Sequence, residues 1–463
     1  MKNLLITLLF LISSQIHHTQ TFEVESLKVS GDNDKRINLV ILSEGYQVSE
    51  FAKFKNDAIN FMTDMFSQSP FVEYTNYFNV YIIKVPSNES GSDHPGTATD
   101  VIEPASAIIN VDTYFNTSYD SFNFHRLLFS SDYATINTVL ANNFPEFDQT
   151  IILVNSDEYG GSGGQFPFTS TGTSANEIAI HELGHSLFDL KDEYYPGDVL
   201  AAEAINMTQE TNPALVKWKN WLGINSVGIY AYASSGTAAT WNRPHQNCKM
   251  RYLGVPFCSV CKEGMIEKIH DLVSPIDSYM PISNTVNNPS FPIDFNLNLI
   301  KPEPNTLENE WVLNSLNIAN NVEVVSLLEI NLIEGINTLN SIVTDNTSFL
   351  KIDNHETIHL SMVTWTINYS SLGIEEIDSV LNNLSITVYP NPTNDVINFK
   401  FENNNNLSLK IDIVSIDGKK IETLFVDNSQ TLQIDISAYS TGLYLANFYS
   451  NNILLSNKRI IKN

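Results

Sequence analysis

The chain has 463 residues, too many for one ordinary hydrophobic core, so several domains are expected. Hydrophobic residues make up 43% and aromatics 11%, which excludes a disordered chain. The net charge of −27, from 25 Lys+Arg against 52 Asp+Glu, argues against nucleic acid or an anionic membrane as partner.

Lys2 precedes an apolar run from Leu4 to Ile12, and Ser13, Ser14 and Gln15 follow. This is the pattern of a signal peptide, with cleavage expected between Ser14 and Thr21. The run is too short to span a membrane as a mature helix, and no other stretch reads as transmembrane. An exported chain without a transmembrane segment is expected.

Arg36–Ser43 predicts a buried strand, Ser49–Gln68 a helix, Tyr77–Val85 a second strand and Pro86–Asp100 a loop. Phe122–Asn142 reads as helix and Gln149–Asn155 as a third strand, so an α/β sheet is expected. The glycines of Tyr159–Gly164 lack the following Lys and helix of a phosphate loop. They read as a plain hairpin loop or as a rim leading into an edge strand, Gln165–Ser170, that accepts an extended peptide by strand addition. Gly161 and Gly163 on this rim are candidate substrate contacts.

The densest chemistry lies between Ser174 and Tyr195, SANEIAIHELGHSLFDLKDEYY. Ser174 and Glu177 have capping-box spacing and predict a helix start. His181 and His185 then fall one turn apart on one face, while Ala179, Ile180, Leu183 and Leu187 fall opposite and can bury. An H-E-x-x-H helix of this kind suits a single zinc ion per chain, with one coordination position open to water. Glu182, beside the first histidine, is placed to act as general base and later return the proton to a leaving amine. A third protein ligand is needed. Asp192 fits best, because the chain can turn back after Gly184 and Phe188–Leu190; Glu193 is the alternative, and Asp189 is expected still to lie on the helix.

Pro213–Leu222 reads as helix, and Lys262–Leu272 as the last helix of this region. Between them, His245, Arg251 and Tyr252 are candidates to stabilise a tetrahedral oxyanion. Met250 is a candidate for a turn beneath the metal. The cysteines are Cys248, Cys258 and Cys261. In an exported protein one disulfide and a free thiol are expected, Cys248 with Cys258 among the pairings. The competing reading is a structural zinc held by His245, Cys248, Cys258 and Cys261. From Ser274-Pro275 the composition changes to short alternating strands: Pro292–Leu299, Val322–Leu332, Gly335–Val343 and His355–Asn368. These predict an antiparallel sandwich. A linker at 377–384 and a second all-β unit follow, with Asn403–Asn406 as a loop tip.

The segments NLVILSEGY, PF…YFNVY, ESGSDHP, YGGSGG, HELGHSLFDLKDEYY and CKMRYLGVPFCSVC occur in that order between Asn38 and Ile269. In this the region resembles the IgA-peptidase family of zinc metalloendopeptidases. The resemblance implies a zincin-like catalytic domain with His181, His185 and Asp192 as zinc ligands, Glu182 as base and Met250 in a methionine turn. VYPNPTND, IVSIDGKKI and STGLYLANF near the end resemble the C-terminal sorting domain of the type IX secretion system of Bacteroidetes. That implies a partner in the secretion machinery and a secreted or surface location.

The expected organisation is a signal peptide at 1–20, a zinc metallopeptidase domain at 21–274, a β-sandwich at 275–376, a linker at 377–384 and a sorting domain at 385–463. The fold class is an α/β zincin-like domain, a mixed twisted sheet plus helices, followed by two all-β sandwiches. The expected function is an exported zinc endopeptidase acting on extracellular proteins or glycoproteins, immunoglobulin A among them. The alternatives are a surface-displayed adhesin whose zinc domain is inactive, and a zinc hydrolase of a non-peptide amide.

Overall fold

Long apolar runs set the centre of the molecule. In a computed structural model, which describes residues 21–195, 200–370, 384–403, 408–427, 430–450 and 453–463, β2 (Ile37–Glu44) and β4 (Gln149–Val154) are buried at every position. Strands that read as continuous apolar segments need cover on both faces. The signal peptide at 1–20, residues 377–383 of the linker and residues 404–406 of the loop tip lie outside the described residues.

The chain forms two compact units, residues 1–368 and 369–463. The first is built on a six-stranded sheet that also contains β1 (Glu23–Lys28), β3 (Phe78–Lys84), β5 (Gly161–Ser162) and β6 (Phe168–Thr169), in the order β1-β3-β2-β4-β6-β5. The four inner strands run parallel, and β1 and β5 at the edges run antiparallel to their neighbours. Residues of the inner strands alternate between two cores. Leu39, Ile41, Val80 and Ile82 pack with α1 (Phe51–Met65), α3 (Ala175–Ser186) and α4 (Ser259–Leu272). Val40, Leu42, Ile83 and Ile152 pack with α2 (Tyr133–Asn143) on the other face. The expected strand at 165–170 is confined to β6, and part of the glycine rim is itself the edge strand β5.

Two helix expectations are corrected. The helix read over Phe122–Asn142 begins only at Tyr133, where Asp132 accepts from the Thr135 amide at 3.2 Å. Before it, Phe122 has φ 55° and Ser118 pairs with Phe129, so tertiary pairing overrides helical periodicity. Pro213–Leu222 holds a single 3-10 turn at Lys219–Trp221. There the buried Trp218 donates to the Gly228 carbonyl at 2.8 Å, and Val216 and Trp221 are buried in the core. A short hairpin, β7 (Tyr230–Ala231) with β8 (Asn242–Arg243), follows.

At Ser274 the first unit passes into an all-β region of two sheets. One contains β10 (Thr285–Asn287), β12 (Leu307–Leu313), β13 (Leu316–Asn320), β15 (Gly335–Asp345) and β16 (Ser361–Tyr369). The other contains β9 (Ile276–Met280), β11 (Ile293–Leu299) and β14 (Val324–Leu327). Phe295 of one sheet meets Trp365 of the other at 5.1 Å between ring centroids. The strand expected over Val322–Leu332 is only β14, followed by a 3-10 turn, and the strands β12 and β13 had no counterpart in the sequence reading. The strand expected from His355 begins instead with one helical turn, α5 (His355–Ile358). Buried polar bonds tie this region to the α/β part. Tyr74 Oη donates to Asp345 at 2.5 Å, and Arg36 pairs with Asp277 at 2.8 Å.

The second unit holds β17 (Leu384–Tyr389), β18 (Val396–Asn403) and β21 (Thr431–Asp435) in one antiparallel sheet. β19 (Leu409–Ser415), β20 (Lys420–Val426), β22 (Gly442–Ser450) and β23 (Ile453–Lys462) form another. Phe399 of the first meets Phe448 of the second edge to face at 5.3 Å, inside one apolar core.

Candidate metal centre

Helix α3 starts without the expected capping box. Ser174 has φ 64° and its side chain makes no cap bond. The Glu177 carboxylate is drawn away by the buried Lys249 ammonium, the Gly254 amide at 2.8 Å and the Gln68 side chain at 2.8 Å. An ion pair in a partly buried place outcompetes a local cap. The helix still presents the expected faces: Ala179, Ile180 and Leu183 are fully buried in the sheet-side core.

The helix ends at Ser186, and the chain then reverses. The Asp189 amide returns to the His185 carbonyl at 3.1 Å and the Leu190 amide to the Gly184 carbonyl at 2.9 Å, with Asp189 at φ 57°. Asp189 is therefore off the helix, contrary to expectation. Its exposed side chain pairs with Lys268 at 3.0 Å. This turn brings Asp192 back over the helix, where its Oδ1 lies 3.1 Å from Nε2 of both His181 and His185. The two Nε2 atoms are 3.2 Å apart.

Three donors this close to one point fit a divalent metal. Tetrahedral zinc with nitrogen and oxygen ligands sets its donors about 3.3 Å apart. The far side of each ring agrees. His181 Nδ1 faces the Lys249 carbonyl at 3.0 Å and His185 Nδ1 the Leu190 carbonyl at 2.7 Å. Each Nδ1–H donates a hydrogen bond to its carbonyl, which leaves the Nε2 lone pair for a metal. Burial works against the charged forms of this set, but mutual bonding outweighs it: the Asp192 carboxyl is held down at about 2 and His185 is raised.

Glu182 faces the same cleft. Burial pushes its carboxyl above the ordinary range, against the pull of His181 and His185. A Cβ added at Gly163 would lie 2.2 Å from Glu182 Oε2, so the glycine rim runs directly along this carboxylate. The cleft, about 880 Å³, is lined by Gly161, Ser162, Gly163, Arg126 and Tyr194 as well as the histidines. The Gly161 amide is already bonded to the Arg126 carbonyl at 3.1 Å, so this end of β5 is partly covered. Met250 is fully buried, and a Cβ added at Gly184 would lie 2.7 Å from its sulfur. It therefore sits in the turn under the helix that bears the histidines.

Other expected site residues separate. Arg251 and Tyr252 line a side recess of about 220 Å³ next to His181 and Glu182. The Arg251 guanidinium, over the Tyr252 ring at 4.9 Å, is bound to the Gln246 carbonyl at 2.7 Å. His245 is outside the cleft, with its Nδ1 accepting from the Asn247 amide at 3.0 Å. Cys248, Cys258 and Cys261 are free buried thiols, so the Cys248–Cys258 disulfide is not formed. Glu193, the alternative third ligand, turns away from the histidines towards these thiols, with Oε1 3.2 Å from the Cys261 sulfur. Two residues of the cleft escaped the sequence reading. Tyr194 follows the acidic pair within the motif; burial and the charges of Asp192 and Glu182 push its hydroxyl up to about 12. Arg126 carries no local signal at all.

Residues 25–226 match the family model of IgA Peptidase M64. The match places a domain of a metallopeptidase family, generally zinc-dependent, over the sheet, the histidine helix and Asp192, and it ends before the cysteines. Residues 387–463 match the secretion system C-terminal sorting domain. That domain marks type IX secretion to the cell surface or extracellular space and makes the secretion machinery a partner. No helix among the described residues is long and apolar enough to cross a membrane. A search of curated proteins finds no match. Among solved structures, dimeric latent PorU of Porphyromonas gingivalis is 12% identical over 40% of this chain and 20% of that one, with a TM-score of 0.15. Apo β-glucuronidase 3 of Bacteroides uniformis is 9% identical over 50% and 29%, also at 0.15. The fibronectin(III)-like modules of CbhA of Clostridium thermocellum are 9% identical over 39% and 88%, at 0.15. This chain thus spans under a third of the first two, and likenesses this slight carry no conclusion about its fold.

Proposed function

We propose that the first unit is an exported zinc endopeptidase of zincin type, with His181, His185 and Asp192 holding the metal and Glu182 as general base. The observation that carries this reading is the meeting of three donors within 3.2 Å beside the half-buried Glu182 carboxylate in an open cleft. Bound zinc supplies Lewis acidity that brings the pKa of a water towards neutrality.

The chain's own residues do the rest. Glu182 takes a proton from the attacking water and delivers it to the leaving amine. Its raised affinity for a proton suits both halves of that transfer. Gly163 leaves room for a substrate backbone to pass next to Glu182. Tyr194, with a hydroxyl still protonated at neutral pH, and Arg126 offer donors to the developing tetrahedral oxyanion. Arg251 and Tyr252 in the side recess bind substrate rather than the reacting carbonyl. The open cleft suits a polypeptide of an extracellular protein or glycoprotein, immunoglobulin A included.

The test is Glu182→Gln in the full chain, assayed on casein and on immunoglobulin A. We expect kcat to fall by about 10²–10⁴-fold while zinc content stays the same. Undiminished cleavage by the variant removes Glu182 from the mechanism.

A further inference from the structure

The cleft accounts for Asp192 but not for its neighbour. Glu193 is fully buried; its Oε1 accepts from Asn206 at 3.2 Å, and its Oε2 has no hydrogen-bond partner. A buried carboxylate oxygen left without a partner is costly. Around it lie Cys248, Cys258 and Cys261, all buried. The Cys248 and Cys261 sulfurs are 3.6 Å apart, and Glu193 Oε1 is 3.2 Å from the Cys261 sulfur and 3.9 Å from that of Cys258. The four donor atoms all lie within 4.8 Å of one another.

Tetrahedral zinc with three sulfurs and one oxygen spaces its donors about 3.6–3.8 Å apart. The observed distances bracket that range. A disulfide needs its sulfurs about 2.05 Å apart, and would leave the third thiol and the orphaned carboxylate oxygen buried together. The surroundings favour anionic ligands. Cys258 is the N-cap of α4 and Cys261 lies in its first turn, and the Cys258 amide donates to the Cys248 sulfur at 3.3 Å. Cys258 and Cys261 also have the C-x-x-C spacing common to thiolate metal sites.

We propose that Cys248, Cys258, Cys261 and Glu193 hold a second, structural ion of zinc type, separate from the cleft. The carboxylate of Glu193 takes the place that the sequence reading gave to His245. The ion joins three pieces of backbone behind the cleft. Glu193 follows Asp192, and its amide donates to the Met250 carbonyl at 2.6 Å. Cys248 precedes Lys249, whose carbonyl orients His181. The thiolate ion therefore fixes the backbone that presents the third donor and the turn beneath the histidine helix.

The test uses the full chain carrying His181→Ala and His185→Ala together, which strips the cleft of two donors. We expect about one zinc per chain to remain, with X-ray absorption showing sulfur neighbours at about 2.3 Å. After cobalt(II) replacement the same variant should show strong near-ultraviolet thiolate-to-cobalt absorption. Denatured without reductant and with chelator, the wild-type chain should titrate three thiols. A zinc shell without sulfur, or a titration of one thiol, overturns the proposal. Cys261→Ser should remove the sulfur-ligated ion; should that variant fail to fold, the histidine double variant decides alone.

Discussion

The first unit twice sets a carboxylate between histidines four residues apart, and the two places differ in what the carboxylate does. At Glu267 each imidazole takes its own oxygen: His355 Nδ1 meets Oε1 at 2.6 Å, and His359 Nε2 meets Oε2. At Asp192 both Nε2 atoms share one oxygen at 3.1 Å, and both Nδ1 atoms are occupied by backbone carbonyls. The first arrangement is a pair of ordinary charge-assisted hydrogen bonds joining α4 to α5. The second aims three lone pairs at one point, which hydrogen bonding alone does not require. Histidine pairs at identical spacing, one with a glutamate and one with an aspartate, thus make a fastener in one place and a metal-type donor set in the other, and the carbonyls on the far side of the second pair fix its orientation.

The comparison breaks most visibly at its acids. Asp192→Ala should reduce peptidase activity to background and weaken zinc binding in the cleft by more than the roughly 10–100-fold that loss of an outer partner costs. Chelator competition on the full chain measures it, and unchanged affinity would return the choice to another acid. Gly163→Ala comes next. Its Cβ would collide with Glu182 Oε2, and a base displaced by about 1 Å loses on the order of 10²-fold in kcat. Zinc content should not change in this variant; a kcat equal to wild type shows that the rim yields.

Acid should then separate the two sites. Burial lowers the proton affinity of His185, but bonding to Asp192 raises it more, above the ordinary 6.5. Metal must displace that proton, so zinc affinity in the cleft should already decline as pH falls through the neutral range. Titration with a zinc indicator at a series of pH values checks the slope; a flat profile contradicts it.

The smallest effect belongs to the fastener. Burial raises the Glu267 carboxyl, yet its two histidines hold it at about 2, below the ordinary 4.5. Its stabilisation is therefore complete above 4.5 and fades as pH falls towards 2. Glu267 raises His359 above 6.5, so that contribution is complete below 6.5 and is lost as pH rises through the shifted value. His359→Asn should lower Tm by a few degrees at pH ~5.5 and by less at pH ~8.5. Equal losses at both would mean that packing, not charge, is what His359 supplies.

Much of this was legible in the chain because it is local. Apolar runs gave β2, β3 and β4, and 3.6-residue periodicity gave α1 and the histidine face of α3. Spacing alone narrowed the third donor to the acids after the helix. The misreadings are places where distant groups won. Glu177 left its cap for Lys249, residues 118–129 paired with each other instead of coiling, and Arg126 reached the cleft from a loop with no motif.

The clearest division falls between Asp192 and Glu193. Residue types and spacing led to the expectation that an acid after the helix would meet His181 and His185, and Asp192 does so at 3.1 Å. Which acid, and what its neighbour would do instead, depended on the reversal at Asp189 and on the turn that brings Cys248 and Met250 behind the helix. Asp192 meets the two imidazoles, and Glu193, where the chain bends, meets the thiols. One step along the chain therefore separates the open cleft from the sealed thiol pocket, and only the fold fixes which residue faces which.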